Sequence, residues 1–150
     1  MRIAIGADHR GVSLKAKLIP FLKTKGVRVQ DVGAYETDPP SDYPDIAGKV
    51  AQKVAAGRVD RGILICGTGI GMSIAANKIK GIRAARCVTL RDARLSREHN
   101  DANVLTLGGN IIPYKRAKAI VGIWLKTASA VGRHRRRVRK IEQLERNHSR

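Results

Sequence analysis

The segment Ile63-Leu64-Ile65-Cys66-Gly67-Thr68-Gly69-Ile70-Gly71 decides the fold class. A short β-branched and aliphatic run that ends at a glycine-rich turn is typical of a strand buried in a parallel sheet. The residues that follow predict a short helix from about Met72 to Ile79, which ends before Gly81. The glycines between strand and helix let backbone amides turn inward, and this predicts a concave site for negative charge.

On either side of this segment, strand patterns and helix patterns alternate along the chain. Apolar residues recur at helical spacing between the strands, as at Leu14, Leu18 and Leu22. The alternation predicts an α/β fold, a three-layer Rossmann-like sandwich with a five-stranded parallel sheet and helices on both faces. We expect a single domain over residues 1–150, with residues 133–150 as a basic C-terminal helical arm. The predicted strands are residues 3–6, 27–32, 63–66, 82–88 and 104–108.

The composition favours a phosphorylated or polyanionic partner. Thirty Lys and Arg against twelve Asp and Glu give a formal net charge of +18, which attracts phosphorylated small molecules and nucleic acids alike. Aromatic residues are only 3% of the chain and leave little for base stacking. Nucleic-acid binding through the basic arm is therefore the weaker alternative.

Cellular location can also be predicted from the composition. Cys66 and Cys87 do not form the kind of disulfide framework that small secreted domains need, so we expect two reduced thiols. The N-terminus lacks the apolar run of a signal peptide, and no stretch approaches about 18 apolar residues. We therefore expect a cytoplasmic protein that has no membrane partner.

Three polar clusters follow predicted strands, at the edge of the sheet where ligands of such folds bind. They are residues 7–11 after the first strand, residues 66–71 after the third and residues 91–101 after the fourth. The glycine turn does not match a dinucleotide fingerprint, because Met72 stands where close packing requires glycine or alanine. It does not match a phosphate loop either, because no Gly-Lys-Ser/Thr follows.

Cys66 is the candidate for chemistry within these clusters. A thiol at the end of a strand and against a helix N-terminus is placed where a thiolate is stabilised, so it can act as a base or as a nucleophile. The alternative is a small buried hydrophobic residue. For Cys87, which lies in a predicted strand, the inert alternative is favoured.

Other polar residues have both a functional and a structural interpretation. Asp8 and His9 can bind a sugar hydroxyl or phosphate, although Asp8 can instead cap the next helix. His99 suits proton transfer at physiological pH but can equally be a surface histidine. Arg133 and Arg137 share one helix face and can grip a phosphate, although such charge is usually solvated. The Cys and His spacings match no zinc-ligand pattern.

Taken together, four stretches closely resemble the type B ribose-5-phosphate isomerase family. They are residues 5–11, Asp42-Tyr43-Pro44, residues 66–71 with 73–78, and residues 96–101. The family also includes galactose-6-phosphate and allose-6-phosphate isomerases. The resemblance implies a five-stranded Rossmann-like sheet and an enzyme that works without a metal or nucleotide cofactor.

The resemblance implies that ribose 5-phosphate and ribulose 5-phosphate are interconverted through an enediolate. Cys66 matches the base, with Thr68 beside it, and His99 matches the acid that opens the sugar ring. Other members carry a glutamate base on the following helix, where residues 73–75 offer no carboxylate here. A six-carbon sugar phosphate, allose 6-phosphate or galactose 6-phosphate, is the alternative substrate.

The resemblance also implies a set of substrate contacts and a shared site. Backbone amides of the glycine turn would stabilise the oxyanion, and the family site lies between the subunits of a homodimer. His99, Asn100 and the basic arm would reach across, and pairing of dimers into tetramers is left open. The implied substrate-binding residues are Asp8, His9, Tyr43, Gly67, Gly69, Ile70, Gly71, Asn100, Asn110, Arg133 and Arg137.

Overall fold

Five parallel strands alternate with helices along residues 1–148, the part of the chain that the computed structural model describes. This order confirms the predicted α/β class and the predicted C-terminal helix. The elements are β1 (Arg2–Ala7), α1 (Val12–Thr24), β2 (Arg28–Asp31), α2 (Tyr43–Ala55), β3 (Arg61–Cys66), α3 (Ile70–Ala76), β4 (Ala84–Arg86), α4 (Leu90–Asn100), β5 (Val104–Gly108), α5 (Tyr114–Lys126) and α6 (Arg133–His148).

The sheet has the strand order β2-β1-β3-β5-β4, and every pairing is parallel. The chain moves from β1 to one side for β2 and then to the other side for β3, so the strand order reverses between β1 and β3. Ala7 pairs with Ile65 there, and Cys66 pairs with Gly108 on the next strand. The carboxyl ends of β1 and β3 therefore flank the switch point at which doubly wound folds bind ligands.

Two apolar cores cover the two faces of the sheet. Successive residues of a strand point to opposite faces, so Ile63 and Ile65 pack with α1 and α5 while Leu64 and Cys66 pack with α2 and α3. Trp124 of α5 is fully buried in the first core. The side chain of Cys66 is thereby placed on the face covered by α2 and α3.

Some element boundaries differ from the prediction. Helix α3 begins at Ile70 instead of Met72, because Gly69 at its N-cap has a φ of +78°, which turns the chain sharply into the helix. Strand β4 covers only residues 84–86 instead of 82–88. Side chains there accept hydrogen bonds from backbone amides in place of a neighbouring strand. Asn77 Oδ1 accepts from the amide of Ala84 at 2.8 Å, and Asn103 Oδ1 accepts from the amide of Arg83 at 2.8 Å. Strand β2 is shorter by one residue at each end.

Helix α6 packs against α4 and is tied to the segment before β4. Glu145 Oε1 accepts a hydrogen bond from the amide of Gly81 at 2.9 Å, and Glu142 lies 3.5 Å from Arg83. Of the predicted apolar stripe of this helix, Val138 is buried, whereas Ile141 and Leu144 are 42% and 60% exposed. The last two residues of the predicted arm lie outside the described residues. None of the described helices is both long and apolar enough to cross a membrane.

Candidate active site

A pocket of about 300 Å³ opens at the switch point, between the carboxyl ends of β1 and β3. It brings together seven of the residues that the sequence analysis singles out, which come from the β1–α1 turn, the start of α2 and the glycine turn after β3. They are Asp8, His9, Tyr43, Cys66, Gly67, Thr68 and Gly71.

The β1–α1 turn is fixed by the carboxylate of Asp8. Its Oδ1 accepts hydrogen bonds from the amides of Arg10 at 3.0 Å and Gly11 at 3.1 Å. A Cβ on Gly11 would lie 2.5 Å from the carbonyl oxygen of Ile65, so only glycine allows the turn to pack on β3. The capping interpretation of Asp8 is wrong, because Gly11 is the N-cap of α1 and no side chain caps it; Asp8 instead orders the turn before the helix and lines the pocket.

A loop between β2 and α2 holds His9 at the pocket. The hydroxyl of Ser41 accepts from the His9 amide at 3.1 Å, and the Nδ1 of His9 lies 3.3 Å from both the backbone nitrogen and the carbonyl oxygen of Ser41. Buried Lys15 holds the start of this loop. Its Nζ donates to Asp31 Oδ1 at 2.5 Å and to the carbonyl oxygen of Ala34 at 2.6 Å. Among the described residues, Nε2 of His9 is left free for a ligand.

The sulfur of Cys66 is held inside the glycine turn. The amide of Gly69 donates a hydrogen bond to Sγ at 3.1 Å, which directs the positive end of a backbone dipole at the sulfur. The carbonyl oxygen of Gly69 accepts from the hydroxyl of Thr106 at 2.9 Å, and this locks the turn onto β5. The thiol is 4% exposed and lines the pocket. It is therefore placed to react with a molecule bound there.

The remaining predicted contacts surround this thiol. Thr68 Oγ1 accepts from the amide of Ile70 at 3.2 Å, which orients the hydroxyl beside the turn. A Cβ on Gly71 would lie 2.7 Å from the ring of Tyr43, so the ring rests on the glycine. The amide of Asn110 donates to the carbonyl oxygen of Gly67 at 3.1 Å. Asn110 thus lies next to the turn, although it does not line the pocket.

Besides Gly69, Ile70 and Asn110, which lie in or next to the glycine turn, four predicted residues do not line the pocket of their own chain: His99, Asn100, Arg133 and Arg137. Helix α4 ends at Asn100 and is followed closely by the amino end of β5, whereas Cys66 pairs with Gly108 at the carboxyl end of β5. The expectation that the whole segment 91–101 lies at the carboxyl edge is therefore wrong for its C-terminal end. His99 instead stacks on His134, with ring centroids 4.0 Å apart.

Three pocket residues are not singled out by the sequence as site residues: Arg10, Ser41 and Asp42. Arg10 and Asp42 lie within stretches that carry the family resemblance, and their neighbours His9 and Tyr43 are predicted contacts. Ser41 precedes such a stretch and has no signal of its own. Position next to a predicted contact is thus the one signal that could have identified the first two.

Cys87 does not line the pocket that contains Cys66. It lies just after β4, not inside the strand as predicted, and is fully buried. Burial raises the pKa of the Cys87 thiol to about 11, so the protonated form dominates at neutral pH. The inert interpretation of Cys87 is supported.

A doubly wound sheet with a thiol, a hydroxyl and a turn rich in backbone amides at its switch point defines an α/β enzyme that acts on a small molecule. The protein-family model described as Ribose/Galactose Isomerase matches residues 3–141. The chain therefore belongs to the ribose/galactose isomerase family, and it is an aldose–ketose isomerase.

Individual relatives are similar over almost their whole length. Ribose-5-phosphate isomerase B of Escherichia coli is 48% identical over 144 residues, which cover 96% of each chain. The solved structure of ribose-5-phosphate isomerase B from Clostridium thermocellum superposes with a TM-score of 0.97 at 50% identity, covering 99% of this chain and 100% of that one. D-erythrulose-4-phosphate isomerase of Pectobacterium atrosepticum is 42% identical over 148 residues, with coverage of 97% and 95%.

Proposed function

We propose that the enzyme interconverts ribose 5-phosphate and ribulose 5-phosphate through an enediolate, with Cys66 as the base. The observation that carries this proposal is the sulfur of Cys66, which accepts the Gly69 amide hydrogen bond at 3.1 Å and lines the pocket at the switch point. The relatives named ribose-5-phosphate isomerase B support the choice of substrate.

The proposed reaction needs one base and an environment for negative charge. The Cys66 thiolate removes the proton from C2 of the open-chain aldose, and the electron pair shifts to the carbonyl oxygen on C1. The resulting thiol returns the proton to C1, while the hydroxyl of Thr68 relays a proton between the two oxygens. Amides of Gly67 and Gly71 stabilise the oxyanion, whereas those of Gly69 and Ile70 already donate to Cys66 Sγ and Thr68 Oγ1. Such a donor is worth about 2.7–4 kcal/mol where one has been removed from an oxyanion hole.

The remaining residues bind the substrate in this proposal. Asp8 holds a sugar hydroxyl, and the phosphate is held by His9 together with Arg133 and Arg137. The contact between Nδ1 of His9 and the backbone of Ser41 leaves Nε2 for a phosphate oxygen. Further contacts with the substrate are assigned to Tyr43, Asn100 and Asn110.

We propose that a second copy of the chain completes each site in a homodimer. Arg133 and Arg137 lie on helix α6 at a spacing of four residues, and Ile141 and Leu144 continue the same side. Both apolar side chains are exposed on the single chain, as expected of a surface that a partner covers. In the dimer, α6 and His99 of one subunit would enter the pocket of the other.

Mixing two impaired variants tests the shared site. Cys66→Ala retains His99, and His99→Asn retains Cys66, so a mixed dimer would contain one complete site. Unfolding and refolding the two variants together is expected to raise activity on ribose 5-phosphate well above the sum of the two variants refolded alone. Activity that never exceeds the sum of the separate variants would contradict sharing.

Substrate choice is tested with purified enzyme on four sugar phosphates side by side. They are ribose 5-phosphate, allose 6-phosphate, galactose 6-phosphate and erythrulose 4-phosphate, the last chosen because of the relative from Pectobacterium atrosepticum. We expect the highest kcat/KM for ribose 5-phosphate. A higher value for another sugar would replace the proposed substrate.

The cytoplasmic location also remains a prediction, which fractionation of producing cells tests.

A further inference from the structure

Arg10 supplies the pocket with a charge that the proposed function does not use. Among the residues that line the pocket in the described chain, Arg10 is the one permanent cation, and it stands with two carboxylates, Asp8 and Asp42. A sugar phosphate and the enediolate formed from it are both anionic. Within one subunit, Arg10 is therefore the side chain that can offset their charge at every working pH.

The side chain of Arg10 lies over the glycine turn. Its Cδ is 3.1 Å, and its Nη1 3.6 Å, from the point at which a Cβ on Gly67 would sit. Gly67 follows Cys66 directly, so the guanidinium is close to the end of the pocket that holds the thiol. The amide of Arg10 is also fixed by Asp8 Oδ1, which restrains the start of the side chain.

The guanidinium of Arg10 makes no hydrogen bond or ion pair with the residues that the structure describes. Other exposed arginines, such as Arg58, share this property, so it alone indicates only a solvated charge. What distinguishes Arg10 is that its side chain lies against Gly67, in the glycine turn that follows Cys66. A guanidinium with free donors at that place can form charge-assisted hydrogen bonds to substrate oxygens.

We propose that Arg10 binds the reacting end of the substrate and stabilises the negative charge of the enediolate. This rests on the proposed function for the identity of the reaction. The charge grows on the oxygens of C1 and C2 during proton transfer, so a cation aimed at them acts more strongly on the transition state than on bound substrate. The phosphate, at the other end of the sugar, stays with His9, Arg133 and Arg137.

Three variants test the assignment by kinetics. Arg10→Gln keeps hydrogen-bond donors but removes the charge, Arg10→Lys keeps the charge, and Arg58→Gln removes a charge between α2 and β3, at the opposite edge of the sheet. We expect Arg10→Gln to lower kcat about 10- to 100-fold with KM changed less than threefold, and Arg10→Lys to lose less. Arg58→Gln should match the parent enzyme. An unchanged kcat in Arg10→Gln, with circular dichroism showing native folding, would overturn the proposal.

A binding measurement separates this proposal from the proposed function. A four-carbon aldonic acid phosphate carries a carboxylate where the enediolate carries its charge, whereas inorganic phosphate probes only the phosphate end. Calorimetry is expected to show about tenfold weaker binding of the aldonic acid phosphate to Arg10→Gln, with inorganic phosphate unchanged. Equal weakening of both would place Arg10 at the phosphate and refute the assignment. Absence of isomerase activity in the parent enzyme would instead refute the proposed function.

Discussion

The imidazole rings of His99 and His134 stack with their centroids 4.0 Å apart and their planes within 2° of parallel. The stack joins the C-terminal end of α4 to the first turn of α6. Partial burial lowers the pKa of His134, and the neighbouring charges of His99, Arg133 and Arg137 lower it further, while Glu98 opposes them. His134 is therefore neutral at physiological pH, and the stack places His99 beside the arginines proposed to bind phosphate.

The lowered pKa of His134 predicts how stability depends on pH. Because its pKa in the folded chain is below the unfolded value of about 6.5, the unfolded chain binds more protons at low pH. His134 thus makes the free energy of unfolding fall as the pH drops below that value. Urea denaturation between pH 7 and pH 5 should show a shallower fall for His134→Gln than for the parent. The same dependence of the free energy of unfolding on pH in both proteins would contradict the lowered pKa of His134.

Replacement of His99 by Asn should separate ring opening from proton transfer. Ribose 5-phosphate is mainly a closed ring, whereas erythrose 4-phosphate cannot close a furanose ring because its 4-hydroxyl carries the phosphate. We expect kcat/KM for ribose 5-phosphate to fall about 100-fold, the size of a typical acid–base contribution, and that for erythrose 4-phosphate to fall much less. Equal losses on the two aldoses would remove His99 from ring opening.

Two glycines of the turn should respond differently to alanine. In Gly69→Ala the new Cβ would lie 2.9 Å from the backbone carbon of Leu107 at a φ of +78°, so we expect a loss of at least about 2 kcal/mol in the free energy of unfolding. In Gly71→Ala the Cβ meets the half-exposed ring of Tyr43, which can swing aside. KM should then rise with little loss of stability. Urea denaturation and steady-state kinetics check the pair, and an unchanged KM in Gly71→Ala would argue against Tyr43 as a substrate contact.

The two thiols should differ in reactivity. With a pKa raised to about 11 by burial, Cys87 is a thiolate in only about one molecule in a thousand at pH 8. A small alkylating reagent should modify Cys66 first, and ribose 5-phosphate should slow that modification. Mass spectrometry of digested protein gives the site, with Cys66→Ser as the control. Faster labelling of Cys87 would contradict this account.

Elements with a strong local signal are predictable from the sequence. Strand β5 is confirmed at Val104–Gly108, and the pairing of the clusters after β1 and β3 is confirmed as one pocket. Both follow from local patterns, because a strand buried on both faces is continuously apolar and parallel strands end at the same edge. The short edge strand β4 is less predictable, since the side chains of Asn77 and Asn103 accept the hydrogen bonds of the Ala84 and Arg83 amides.

The position of a side chain at the end of a long helix is harder to predict. His99 follows β4 in sequence, yet α4 carries it back to the amino edge of the sheet before β5 begins. Arg10 has no distinguishing local pattern either, because its relation to Cys66 comes from the packing of two turns that are distant in sequence. Tertiary packing, which no single segment encodes, determines both positions.

The role of Cys66 as the base is tested most directly by proton exchange at C2 of the substrate. Ribose 5-phosphate deuterated at C2 is incubated with the parent enzyme or with Cys66→Ala, and loss of deuterium to solvent is followed by NMR together with turnover. We predict that exchange and turnover both fall at least about 100-fold in Cys66→Ala, while inorganic phosphate binds as before. Exchange at the parental rate in a folded Cys66→Ala variant would show that another group moves the proton.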